Sequence, residues 1–365
     1  MNQEPQFPAA ETSPAPAASA KRGAGRGSRF FVIERNVWQR LWTLGGSTMN
    51  LVTAYLVLAA GTGADQRLSK WSARACETYA GMGKPRAAAA IARLIDAGLL
   101  ERTESSTPSR PQYRFAEVER SEDPIFLPNQ LVTGTGSETP ILKRIRETGD
   151  ELLLRLLIDL YGMVQTDATH GLPISRLASF VGEARPTKLT EQGAHALWAL
   201  PPMYGEIACS TWVSSYRDAW ERGDEFFYQR LELLETMGVL RYEPWVFDGE
   251  DCDEAEPLCP ALPADGSEPA PELAELHDLI AECARLLGGT PPRLPFACGA
   301  QIVLPAHHRT PTLVEVARLR MEADTPGRRA AFARRKAAIA RAIAAYRTLC
   351  HDLKAGRFDR PVRLG

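Results

Sequence analysis

The residues in this chain with the clearest chemical purpose are cations, and their chemistry is anion binding. Lys84, Arg86, Ala89 and Arg93 lie along "KPRAAAAIARLIDAG" (84–98). Arg102, Ser106, Arg110 and Arg114 follow in "LERTESSTPSRPQYRF" (100–115). A guanidinium can bond two-pronged to a guanine edge or to phosphate, and ammonium and hydroxyl groups bond phosphate oxygens. Groups suited to breaking bonds are sparse. No GxxxxGK[ST] run is present, and "GTGAD" (61–65) and "GTGSE" (134–138) read as turns. His307 and His308 have no acid at ligand spacing, and Cys252 and Cys259 sit in an acidic run without further Cys or His. "DGEDCDEAE" (248–256) lacks the glycine and glutamate positions of a calcium loop. No serine elbow or Cys/His nucleophile motif occurs. The expectation is a non-enzyme with no catalytic residue, metal or cofactor.

Charge is distributed unevenly along the 365 residues. The net charge is −2, yet residues 21–120 carry +8, residues 121–260 carry −13 and residues 301–365 carry +9. Basic ends around an acidic middle point to a polyanion partner, or to solvated faces. Seven cysteines form no CxxC pair, which argues for reduced thiols and a cytoplasmic setting. The N-terminus has no apolar signal-peptide core. The uncharged run 41–64 is interrupted by Gly45, Gly46, Ser47, Thr48 and Asn50, too short a stretch to span a bilayer. No membrane partner is expected.

The cations need elements to hold them. Residues 1–29 read as a disordered arm with the basic end "KRGAGRGSR". "NLVTAYLVLAAGTG" is an apolar helix, and the second half of "DQRLSKWSARACETYAG" is a short helix ending at Gly81. After the turn "MGKPR", a helix over about 84–97 places Ala87, Ile91 and Leu94 on one face, and Gly98 stops it. Two short strands follow around a Ser/Thr/Pro tip. This order, with Gly98 seventeen positions after Gly81 inside "IDAGLL", resembles bacterial winged helix-turn-helix DNA-binding domains over residues 46–115. The departures are Gly83 at the cap position, Pro85 in the first turn and four alanines in the helix centre. The resemblance implies that helix 84–97 enters the major groove of double-stranded DNA. Its alanines carry little base information, so phosphate contacts and DNA shape would supply much of the specificity.

A looser second copy is expected over 140–247, with an insertion at 182–223. "DELLLRLLIDLYGMV", "PISRLASFVG" and "EFFYQRLELLETMGVLRYEPWVF" take the three helix positions and the first wing strand, with Phe227, Leu231 and Leu234 in the core. Its last helix presents Asp224, Glu225, Tyr228 and Glu232, which phosphates repel. That face reads as a homodimer or partner surface, or as a solvated one; Arg176, Arg185 and Lys188 are the better DNA candidates there. The remaining divisions are domain 1 at 30–115, a linker at 116–139, an acidic Pro-rich loop at 248–271 and a helical region at 272–365. In that region Thr325 and Pro326 start a basic helix with Phe332, Ile339, Ile343, Tyr346 and Cys350 on one stripe. The expected fold class is mainly α with small β wings: tandem winged helix-turn-helix domains plus a C-terminal helix. The plan is similar to plasmid replication initiators. The expected function is duplex DNA binding for a plasmid, phage or integrated mobile element, as replication initiator or transcriptional regulator. The alternative is a protein-interaction adaptor that uses winged-helix folds without DNA.

Overall fold

In the computed structural model the described residues are 30–117, 123–136, 138–166, 171–173, 179–181, 187–200, 206–208, 216, 225–249, 256–261, 271–288, 300–305 and 311–360. The basic arm 1–29 and the pair His307–His308 lie outside them. Strand β1 (Phe30–Ile33) and helix α1 (Arg35–Thr43) lead into α2 (Thr48–Ala60). Helix α2 is apolar on every side and almost wholly buried, as a central core helix must be. It ends at Gly61, against which the Trp71 ring packs so closely that a Cβ would overlap it. Then come β2 (Leu68–Ser69), α3 (Ala73–Ala80) and α4 (Lys84–Asp96). The Ser72 hydroxyl accepts from the Arg74 amide at 3.3 Å and caps α3. Gly81, at φ +62°, closes α3: its amide donates to the Glu77 carbonyl and the Met82 amide to that of Cys76. Gly98 ends α4 in the same left-handed way. Strands β3 (Leu100–Arg102) and β4 (Tyr113–Phe115) complete a sheet of order β2-β4-β3.

The segment expected as a linker is structural. Strand β5 (Ile125–Pro128) pairs antiparallel with β1, and the short helix α5 (Gln130–Thr133) follows. Ile125, Leu127, Leu131 and Val132 are all buried. Gly- and Ser-rich flanks disguised an apolar stretch that closes the first core. Helix α6 (Ile141–Thr148) then crosses to α7 (Glu151–Thr166), whose Leu153, Leu154, Leu156, Leu157, Leu160 and Tyr161 are buried.

Downstream the chain is mixed: β6 (Leu172–Pro173), β7 (Ser179–Val181), β8 (Thr187–Gln192), β9 (His195–Leu200), β10 (Glu206–Ala208) and α8 (Glu225–Thr236). The helix expected at 173–182 lies mostly outside the described residues, and its end is strand β7, paired with β10. Next come β11 (Leu240–Asp248), β12 (Glu256–Pro260), α9 (Ala274–Gly288), β13 (Ala300–Pro305), β14 (Pro311–Leu319) and α10 (Pro326–Lys354). β11 pairs with β14 along its whole length, from Leu240↔Leu319 to Asp248↔Pro311. The boundary expected at 247 therefore falls inside a sheet, of order β12-β11-β14-β6. Part of the acidic run 248–271 is β12, paired with β11. Within that sheet the order β6-β14-β11 matches β2-β4-β3: short strand, last strand, middle strand.

Thr325 caps α10 by accepting from the Arg328 amide at 3.1 Å. Ile339, Tyr346 and Cys350 are buried as expected, whereas Phe332 is 55% exposed. Arg335 of this basic helix turns inward: with Arg318 it pairs with Glu243, which also accepts from the Trp245 indole at 2.9 Å. The architecture is mainly helical with small antiparallel sheets. Among the described residues no helix is long and apolar enough to cross a membrane.

Candidate nucleic-acid interface

Helix α4 buries Ala87, Ala90, Ile91 and Leu94 against α2 and α3. Lys84, Arg86 and Ala89 are consequently exposed, together with Ala88 and Ala92. Arg86 makes no ion pair among the described residues. Lys84 stands 3.6 Å from Glu77, both well exposed, so this contact adds about 0–1 kcal/mol and leaves the ammonium in solvent. Arg93 does not share this face. It is half-buried, and its guanidinium donates to the Leu44 carbonyl at 3.0 Å and to the Gly45 carbonyl. It clamps the turn between α1 and α2, which corrects its expected place beside Arg86.

The wing builds its own shape. Ser106 donates its amide to the Thr103 carbonyl, and its hydroxyl accepts from the Gln112 amide at 3.0 Å. The Arg110 amide bonds the Thr107 carbonyl and hydroxyl, both at 3.1 Å. These local bonds fix the shape of the tip from within the chain. Ser106 is thus first a tip-forming residue. The Arg102 and Arg110 side chains are exposed. Arg114 is exposed on β4 opposite Glu101, 3.6 Å away.

Two cations escaped the sequence reading. Lys70 and Arg74 are exposed on either side of the Ser72 cap, at the start of α3. The Trp71 ring stacks on Tyr79 at 4.6 Å and fixes this corner. The available signal was Ser72 itself: a capping serine marks a helix start, and cations beside it stand near its free amides. The start of α3, the start of α4 and the wing together present Lys70, Arg74, Lys84, Arg86, Arg102 and Arg110. Nearby Arg67 is occupied by Glu117, whose carboxyl that bond and charge hold below the usual range.

Among the described residues, the candidates expected in the second unit form no comparable set. Asp224, Arg176 and Arg185 lie outside the described residues, as does the Glu225 side chain. Tyr228 is half-buried and Glu232 exposed. Lys188 on β8 bonds Glu191 at 2.8 Å and lies over the Trp198 ring. Three of the described thiols are muted. Burial pushes the thiols of Cys76, Cys259 and Cys283 up to about 12, so they stay protonated. Among the described residues no group of three or more His, Cys, Asp or Glu is placed to hold a metal. No protein-family model, curated protein or solved structure matches the chain.

Proposed function

We propose that this chain binds duplex DNA through a winged helix-turn-helix formed by residues 46–115. The observation that carries the reading is the exposed cation set on three consecutive elements, α3, α4 and the β3–β4 wing. Helix order, the glycine stops at Gly81 and Gly98 and the strand order β2-β4-β3 support the fold assignment. Exposed Arg86, near the start of α4, meets a base edge in this reading. Lys70, Arg74 and Lys84 meet phosphates on either side, and Arg102 and Arg110 follow the backbone or the minor groove. Exposed Ala88, Ala89 and Ala92 let α4 approach the groove floor while reading little, so the site is defined largely by DNA shape. The matching order β6-β14-β11 supports a second winged helix, whose acidic α8 face takes a protein partner or a second copy. The role is that of a replication initiator or transcriptional regulator of a mobile element.

The test is selection of bound fragments from sheared genomic DNA, followed by anisotropy titrations over a range of salt. Wild-type affinity falls linearly on a log–log plot against salt. Arg110→Ala reduces that slope by about 1 and weakens all sequences alike. Arg86→Ala costs about 1–3 kcal/mol on the selected site and less on random DNA. Lys70→Ala and Arg74→Ala behave like Arg110→Ala. If all four variants bind as wild type does, the interface is misplaced. Absence of salt-dependent binding overturns the reading in favour of the adaptor.

A further inference from the structure

Between the two units lies a cavity of about 410 Å³, at the junction of the α5–α6 loop, the first turn of α6, the turn after α8 and the end of β14. Its size falls in the range of small-molecule sites. Two arginines line it, Arg144 and Arg320. Arg144 gives one N–H to the Met237 carbonyl at 3.0 Å and keeps the rest of its fork. The Arg320 backbone amide bonds the Val239 carbonyl at 2.8 Å, and its exposed side chain lies over Gly238 with no ion pair among the described residues. Helix α6 opens at Pro140 without a side-chain cap, and Ile141 of its first turn lines the cavity. The opposing charge is Glu138, whose carboxylate already accepts the Thr135 hydroxyl at 2.7 Å. Two arginines and the start of α6 thus line the cavity beside a single carboxylate.

We propose that this cavity binds a small oxyanion, a phosphate- or carboxylate-bearing metabolite, and that its occupancy reaches the DNA-facing unit through α6. The path is short. Arg144 and Arg146 stand on the same eight-residue helix. Arg146 bonds the Ala80 and Gly81 carbonyls at 3.4 and 3.2 Å, at the turn between α3 and α4. Lys143 packs over Gly81. A ligand drawing Arg144 and the first turn of α6 toward Arg320 acts on the turn that sets the angle between α3 and α4. The transmission to DNA rests on the function proposed above; the anion site does not.

The experiment titrates the full chain calorimetrically with inorganic phosphate and, separately, succinate, at fixed ionic strength. One or both bind saturably to wild type, and which one distinguishes phosphate from carboxylate chemistry. Arg320→Ala weakens that binding about tenfold or more, because a charge-assisted fork is lost. Arg86→Ala leaves it unchanged, which separates the cavity from the DNA face. Hydrogen exchange over residues 79–84 slows with anion in wild type and not in Arg320→Ala. Equal affinity in wild type and Arg320→Ala, or no saturable binding of either probe, overturns the site. Unchanged exchange at 79–84 overturns the transmission. Anion binding with slowed exchange but no DNA binding keeps this proposal and removes the DNA reading.

Discussion

Arg86 and Arg93 stand two turns apart on α4 and do different work. Seven-residue spacing puts both Cα atoms near one side of the helix. Arg93 nevertheless reaches back to the Leu44 and Gly45 carbonyls and lies against Gly46, where a Cβ would collide with its guanidinium. Such a bond joins residues 49 positions apart, and no local pattern encodes it. Arg93→Ala should therefore lower the urea midpoint while leaving the proposed DNA binding intact, and Arg86→Ala should do the reverse; a midpoint unchanged in Arg93→Ala would show that the clamp carries no stability. His277 gives a second residue-scale case. It is buried on α9, and among the described residues neither ring nitrogen has a hydrogen-bond partner. Desolvation disfavours its cation and lowers its pKa, while Asp278 pulls weakly the other way. The unfolded chain then takes up a proton more readily than the folded one below about pH 6.5. Stability is full above that value and falls as the pH drops toward the depressed folded value, by at most about 1.4 kcal/mol per pH unit for one proton. Denaturant midpoints at pH 7.5, 6.5 and 5.5 should show this loss, and His277→Leu should flatten it. Parallel profiles for the two proteins would refute the assignment.

At the scale of elements, what was legible follows from sequence range. Helices α2, α3 and α4 and the start of α10 rest on signals within a few residues: an apolar face, a stop glycine, Thr325 with Pro326. The partnership of β11 and β14 does not, because sixty-two residues (249–310) separate them and neither strand alone shows its partner. Strand β5 was hidden for a different reason, since Pro, Gly and Ser around it resemble a linker. Of the candidate site, the α4 and wing cations were legible through burial of Ala87, Ile91 and Leu94; Lys70, Arg74 and the true place of Arg93 were not. The Glu243 cluster shows what long-range pairing adds. It joins β11 to β14 through Arg318 and to α10 through Arg335, with Arg318 also over the Trp245 ring. Burial raises the cost of the Glu243 charge, but the two guanidiniums and the indole N–H more than offset it and hold the carboxyl below its usual range. Glu243→Gln removes the counter-charge of the buried Arg318 and the half-buried Arg335 and should cost about 3–5 kcal/mol. Urea denaturation tests this, and a change below about 0.5 kcal/mol would show that the cluster carries no stability.

At the scale of the whole molecule, the two units are fused. One hydrophobic cluster runs from Phe31 through α2 and α7 to Leu319, while a second joins α9 and α10. Helix α7 is the shared wall. Its Asp159 accepts the Trp38 indole at 2.5 Å from one side and the Tyr216 hydroxyl at 2.6 Å from the other. Its Tyr161 donates to the Met321 carbonyl at 2.7 Å. A fragment ending at 139 keeps every element from β1 to α5 but loses α6 and α7. It leaves Trp38, Ile125 and Leu127 without their cover, and a small unit has little surplus stability to absorb that loss. Fragment 30–139 should therefore show no cooperative denaturation and bind DNA weakly, whereas fragment 30–166 should regain part of both. The full chain should lose its α2–α7 core in one step, so tryptophan fluorescence and far-ultraviolet dichroism report the same midpoint for it. A 30–139 fragment that unfolds cooperatively with the stability of the whole chain would mean that α7 only adjoins the first unit. The orientation of the proposed DNA face relative to the second unit would then be free, and the α6 bridge would have nothing to transmit.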